Sequence, residues 1–175
     1  MPKKFLLTLI AGGIIVIGCG PKENNAAKTA ASNNRTVSES EKLPDFTLKT
    51  LAGDEVNLRQ LEGQKIVVVN FWATWCGPCR KEIPDFNDVY SRYRDRGVEF
   101  LGVSVDESPE TVLPDFIKKI PIAYPVLLGS PELTYRYGVR GLPTTFIIDR
   151  SGRITKRIVG MTVANTLENE LNKLL

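Results

Sequence analysis

The run Ile66-Val67-Val68-Val69-Asn70-Phe71-Trp72 is rich in β-branched and aromatic side chains and scarcely alternates. That pattern predicts a strand buried on both faces over residues 65–72. Before it, Phe46, Leu48, Val56 and Leu58 alternate with polar residues around Gly53-Asp54, which predicts a small hairpin. After it, Ile83, Phe86, Tyr90 and Tyr93 recur at helical spacing, and Gly97 is placed to end that helix. Residues 98–105 form the next strand. Ser108-Pro109 open a helix toward Lys119, which Pro114 is expected to kink or delay. Residues 124–128 are a further strand, and Ser130-Pro131-Glu132 begin a short helix ending at Gly138. Residues 144–148 and 154–159 are strands joined by the hairpin signal Asp149-Arg150-Ser151-Gly152. Thr162 is the expected cap of a last helix with Val163, Leu167, Leu171 and Leu174 on its apolar face. Strands alternating with helices, then a hairpin and a final helix, imply an α/β domain. Its core is a central mixed sheet flanked by helices on both faces.

The N-terminal part follows another pattern. Lys3 and Lys4 precede an uncharged apolar stretch from Phe5 to Ile17, which reads as an export signal. The stretch is shorter than the roughly 18 to 20 residues a membrane-spanning helix needs. It ends in Val16-Ile17-Gly18-Cys19, a tetrad similar to the lipobox of bacterial lipoprotein precursors. That resemblance implies that Cys19 is acylated and becomes the first residue of the mature chain. The alternative is a plain signal anchor in which Cys19 is an ordinary thiol. Residues 20–41 carry almost no large apolar side chain and read as a flexible tether. The chain therefore divides into a signal peptide (1–18), a lipid-attachment cysteine with tether (19–42) and one folded domain (43–175). Roughly 135 residues suffice for a single hydrophobic core. Loss of Lys3 and Lys4 would bring the 23 basic side chains close to the 20 acidic ones. No basic stripe with interleaved aromatics is present, so no nucleic acid partner is expected.

The chemistry lies in Trp75-Cys76-Gly77-Pro78-Cys79, directly after the buried strand. A thiol just ahead of a helix meets unsatisfied N–H groups and the positive end of the helix dipole, both of which favour a thiolate. Cys76 is thus the expected exposed nucleophile. Cys79, on the first helical turn, is placed to attack a mixed disulfide and release the partner. Zinc would need two further soft ligands, and the chain has three cysteines and no histidine, so no metal is expected. A purely structural disulfide would close so short a loop that it would remove little unfolded-chain entropy.

With Pro84 on the helix and Gly141-Leu142-Pro143-Thr144-Thr145 downstream, the chain resembles thioredoxin-fold proteins of the TlpA/ResA group. The resemblance covers residues from about 43 to the C-terminus and implies a thiol–disulfide oxidoreductase without a cofactor, tethered to a membrane in the cell envelope and facing the periplasm or cell exterior. It implies a cis peptide bond at Pro143 beside the disulfide, leaving the Leu142 backbone free to pair with an extended substrate. Trp75 would form part of the docking surface and Trp72 part of the core. Asn70 stands where thioredoxin has a buried aspartate. Glu82 matches a glutamate that this group places near its cysteines, one helical turn after Cys79. There it could relay a proton, with its pKa raised by desolvation; the alternative is a solvated side chain pairing with Arg80 or Lys81. Gly77-Pro78 is the dipeptide of thioredoxin, which favours a reductant. The implied partners are disulfide-containing exported proteins, apocytochrome c in cytochrome c maturation among them, and a membrane electron donor of the CcdA/DsbD type. Two other readings stand beside this one. One is a thiol peroxidase of the peroxiredoxin-like group, although Ala73 occupies the place of its motif threonine. The other is a non-catalytic docking module on the same fold.

Overall fold

The computed structural model describes residues 41–175, so the signal peptide, Cys19 and nearly all of the tether lie outside the described residues. The chain enters through a two-stranded antiparallel hairpin, β1 (Thr47–Lys49) and β2 (Glu55–Asn57). A five-stranded sheet follows, made of β3 (Ile66–Trp72), β4 (Val98–Ser104), β5 (Val126–Leu128), β6 (Thr144–Ile148) and β7 (Ile154–Val159). The order across it is β5-β4-β3-β6-β7. The first three strands run parallel, while β6 pairs antiparallel with β3, and β7 with β6. Among the described residues four α-helices complete the fold: α1 (Gly77–Tyr93), α2 (Pro109–Lys119), α3 (Pro131–Arg136) and α4 (Ala164–Asn172). This is the thioredoxin-like arrangement, with the expected hairpin ahead of it.

Strand β3 lies at the centre and every one of its residues is buried. Its alternating side chains feed two separate cores. Ile66 and Val68, with Phe100 and Ile147, pack against Phe86, Val89 and Tyr93 of α1 and Leu167 and Leu171 of α4. Val67, Val69 and Phe71 join Leu101, Val103 and Phe146 against Leu113 of α2, Tyr137 and the N-terminal residues Leu43, Phe46 and Leu58. Each fully buried aliphatic or aromatic side chain contributes about 1.5–3 kcal/mol. The hairpin is therefore fastened to the domain through a core it shares, and the C-terminal edge of β3 is rigidly placed. Trp72 is 1% exposed and packs against Phe116 of α2, with ring centroids 5.3 Å apart.

Four expectations are corrected. Pro114 does not delay the start of α2, because the helix begins at Pro109 and runs through it to Lys119. The third parallel strand starts at Val126 rather than Tyr124, since Pro125 has no N–H to give a ladder. Thr162 does not cap α4: the cap position falls one residue later, at Val163, which has no polar side chain, and Asp85 of α1 instead accepts from the Ala164 N–H at 3.1 Å. Val163 leaves the apolar face and is 46% exposed, because it is extended (φ −119°, ψ 161°) and helical spacing does not yet apply.

Candidate active site

At the end of β3 the chain makes a tight turn, with the Cys76 N–H donating to the Ala73 carbonyl at 3.1 Å. Cys76 is extended (φ −77°, ψ 107°) and caps α1, its Sγ accepting from the Cys79 N–H at 3.3 Å. Pro78 sits in the first turn, where its missing N–H is not needed. Cys76 and Cys79 are joined in a disulfide, with Cα atoms 5.3 Å apart. Cys76 is 5% exposed and Cys79 fully buried, so the expectation of an exposed first thiol is corrected for the oxidised state. Cys76 nonetheless lines the wall of an open cleft of about 1050 Å³, to which Trp75, Pro78, Val112, Arg140 and Leu142 also contribute.

The opposite side of that cleft is shaped by the loop before β6. The Leu142–Pro143 peptide bond is cis. Leu142 faces the cleft, whereas Pro143 is buried and is not part of the lining. The Pro143 carbonyl accepts from the Gly160 N–H at 2.8 Å, and the Thr144 hydroxyl donates to the Gly141 carbonyl at 2.7 Å. Trp75 is 68% exposed at the rim, a large apolar surface that a folded core has not absorbed. The structure thus brings Trp75, Cys76 and Leu142 around one concavity.

Glu82 lies one turn beyond Cys79 on α1 and is 2% exposed. Asn70 donates its side-chain amide to Glu82 Oε1 at 3.0 Å and to the Thr145 hydroxyl at 3.0 Å. The Thr162 N–H donates to Oε2, also at 3.0 Å. Burial pushes this carboxyl up to about 7, against the lowering pull of the bonds from Thr162 and Asn70. The arrangement differs from a solvated carboxylate paired with Arg80 or Lys81, both of which are exposed. It also explains why position 70 tolerates an amide: Asn70 supplies the donor that the acid at 82 requires.

A second buried acid was not singled out from the sequence. Asp106, 4% exposed and on the cleft wall, follows β4. It accepts from the Thr74 N–H at 3.1 Å, the Thr74 hydroxyl at 2.8 Å and the Ser104 hydroxyl at 2.8 Å. Its only sequence signal was an acid at the C-terminal end of a parallel strand, the edge where open α/β sheets place their sites.

Reversible breaking of a helix-capping disulfide at the edge of a cleft is redox chemistry carried by protein sulfur alone. The chain is a thiol–disulfide oxidoreductase of the thioredoxin fold, and disulfide-containing proteins are its class of substrate. It belongs to the AhpC/TSA family, whose match spans residues 40–157. It is 33% identical over 175 residues to the thiol-disulfide oxidoreductase ResA of Bacillus subtilis, covering 98% of this chain and 95% of the relative. Over 132 residues it is 37% identical to the ResA of Geobacillus thermodenitrificans, covering 75% of each. A thiol:disulfide interchange protein of Chlorobium tepidum superposes with a TM-score of 0.66 at 34% identity, covering 76% of this chain and 94% of that one.

Proposed function

We propose that the protein is a lipid-anchored reductase of disulfides in exported proteins, with Cys76 as nucleophile and Cys79 as resolving thiol. The Cys76 thiolate attacks one sulfur of the substrate disulfide, forming a mixed disulfide and releasing one substrate thiolate. The Cys79 thiolate then attacks the Cys76 sulfur and releases the second substrate thiolate. Two electrons pass to the substrate, which takes up two protons, and the Cys76–Cys79 disulfide remains. Glu82 accepts the Cys79 proton as that thiol becomes a nucleophile, and a carboxyl with a pKa of about 7 is matched to this task near neutral pH. Trp75 and the Leu142 backbone bind the substrate segment, with Pro143 setting the path of that backbone.

The observation that carries this reading is the pairing on one helix of a terminal disulfide with a buried carboxyl one turn further on. The Gly77-Pro78 dipeptide supports the reducing direction. No second cysteine pair exists in the chain, so electrons come from outside. A membrane thiol donor of the CcdA/DsbD type fits a domain anchored through acylated Cys19 in the cell envelope. Apocytochrome c, with its paired haem-attachment thiols, is the proposed substrate class. Cys79→Ala removes the resolving step and should accumulate mixed disulfides at Cys76 with exported proteins. Traps formed only with cytosolic proteins would contradict the reading. Cys19→Ser should abolish lipid labelling; a variant that still incorporates label would remove the anchor from the proposal. The peroxidase alternative predicts rapid peroxide consumption, and here the hydroxyl proton of Thr74 is given to Asp106.

A further inference from the structure

Asp106 is the remaining buried charge at the cleft, and the exchange steps above leave it without a task. Every polar contact it makes is from a donor: the Thr74 N–H reaches both carboxylate oxygens, at 3.3 and 3.1 Å, and the hydroxyls of Thr74 and Ser104 take one oxygen each. Its own N–H is turned back onto the Ser104 hydroxyl at 3.3 Å. Such a set suits an acceptor-only carboxylate. No basic side chain forms an ion pair with it among the described residues.

The bonds converge on one short piece of chain. Trp72 is tied to the β4 end by its carbonyl, which accepts from the Val105 N–H at 2.9 Å. Ala73 accepts from the Cys76 N–H, and Thr74, between them, is held at both its N–H and its hydroxyl by Asp106. The turn that presents Cys76 is therefore fixed from β4, across the sheet, rather than by α1 alone.

We propose that Asp106 is a positioning residue for thiol–disulfide exchange: it clamps the turn ahead of Cys76 and sets a negative charge on the wall of the cleft that Cys76 lines. The clamp keeps the sulfur on its line of attack, and the charge opposes formation of the thiolate that the helix terminus favours. Other charges near the cysteine pair are Glu107 beside Asp106, Arg140 from the loop before β6, Arg80 on α1 and the buried Glu82 on the same helix. Only Asp106 is both buried and bonded to the turn. The proposal rests on Cys76 being the nucleophile, and its test keeps the two claims apart.

The reduced protein is alkylated across a pH series, with the modified cysteine mapped by mass spectrometry. Exchange with a small aromatic disulfide is timed at pH values where the thiolate is fully formed. Asp106→Asn preserves an acceptor for Thr74 but removes the charge, and should lower the midpoint of Cys76 alkylation by about half a pH unit or more. Asp106→Ala removes the clamp too, and should in addition slow saturated exchange by up to about a hundredfold, the cost of misplacing a reacting group by about 1 Å. Thr74→Val, which keeps the carboxylate and loses one bond to it, should slow exchange without lowering the midpoint, and it reports on the clamp should Asp106→Ala not fold. An Asp106→Asn midpoint equal to or above that of the wild type overturns the proposal, as does saturated exchange at the wild-type rate in Thr74→Val. A wild type that alkylates first at Cys79 overturns the nucleophile assignment, and the clamp with it.

Discussion

Glu82 and Asp106 are both buried carboxyl groups near one disulfide, 2% and 4% exposed, yet their surroundings suit opposite purposes. Glu82 sits between α1, β3 and the loop before α4, with one amide donor and one N–H as its partners. Those two bonds do not make up for lost hydration, so its carboxyl rises to about 7 and can exchange a proton near neutrality. Asp106 lies at the cleft side with two hydroxyls and an N–H converging on it, and its bonds run to the turn that carries Cys76. In the proposed account, one acid moves a proton and the other holds geometry. Burial alone therefore does not define a relay. The number and kind of donors around the carboxyl decide it.

The largest expected effect is on the pH dependence of stability. The unfolded chain releases the Glu82 proton near 4.5 and the oxidised folded protein near 7, so between these values the folded state binds more protons. Stability is greatest below that window, falls as pH rises through it and levels above 7, by about 3 kcal/mol at 1.36 kcal/mol per unit. In Glu82→Gln this slope should vanish, as read by denaturant unfolding of the oxidised protein at pH 5 and pH 8. The same variant should slow exchange and lose the pH-rate limb near 7; identical rate–pH profiles would return Glu82 to a structural role.

A smaller effect is expected at the other acid. Asp106→Ala leaves the Thr74 N–H and the Ser104 hydroxyl without their acceptor, at a cost of about 2 kcal/mol by chemical denaturation. The smallest concerns Asn70. Asn70→Ala removes a donor that stabilises the Glu82 carboxylate, so the stability midpoint should move above pH 7, with a net loss of about 1 kcal/mol. A midpoint that moves down would mean that Asn70 is not holding the charged form.

Much of this was legible along the chain because the signals were local. The β3 run, the α1 stripe with Gly97 after it and the 144–159 hairpin each announce themselves within a few residues, and the structure places them there. The Cys76–Cys79 pair was equally plain. What escaped depends on contacts across the sheet. Thr162 looked like a cap because caps are read from the next few residues, but the cap position falls at Val163 and the Ala164 N–H is taken by Asp85, seventy-nine positions earlier. Asp106 meets Thr74 at a separation of thirty-two residues, a pairing that follows only from the parallel register of β3 and β4. Even Glu82 was half legible: spacing put it near Cys79, while its partners Asn70 and Thr162 come from β3 and the approach to α4.

The central claim is that the Cys76–Cys79 couple works as a reductant. Thioredoxin, with the same dipeptide between its cysteines, has a potential of about −270 mV, against about −120 mV for the oxidant DsbA. At about 1.4 kcal/mol per 30 mV, the two differ by about 7 kcal/mol. Equilibrium titration of the purified protein against a defined dithiol buffer, scored by the fraction of Cys76 and Cys79 free to alkylate, measures the couple directly. The account predicts a midpoint close to that of thioredoxin. A midpoint close to that of DsbA would contradict it and make the protein an oxidant.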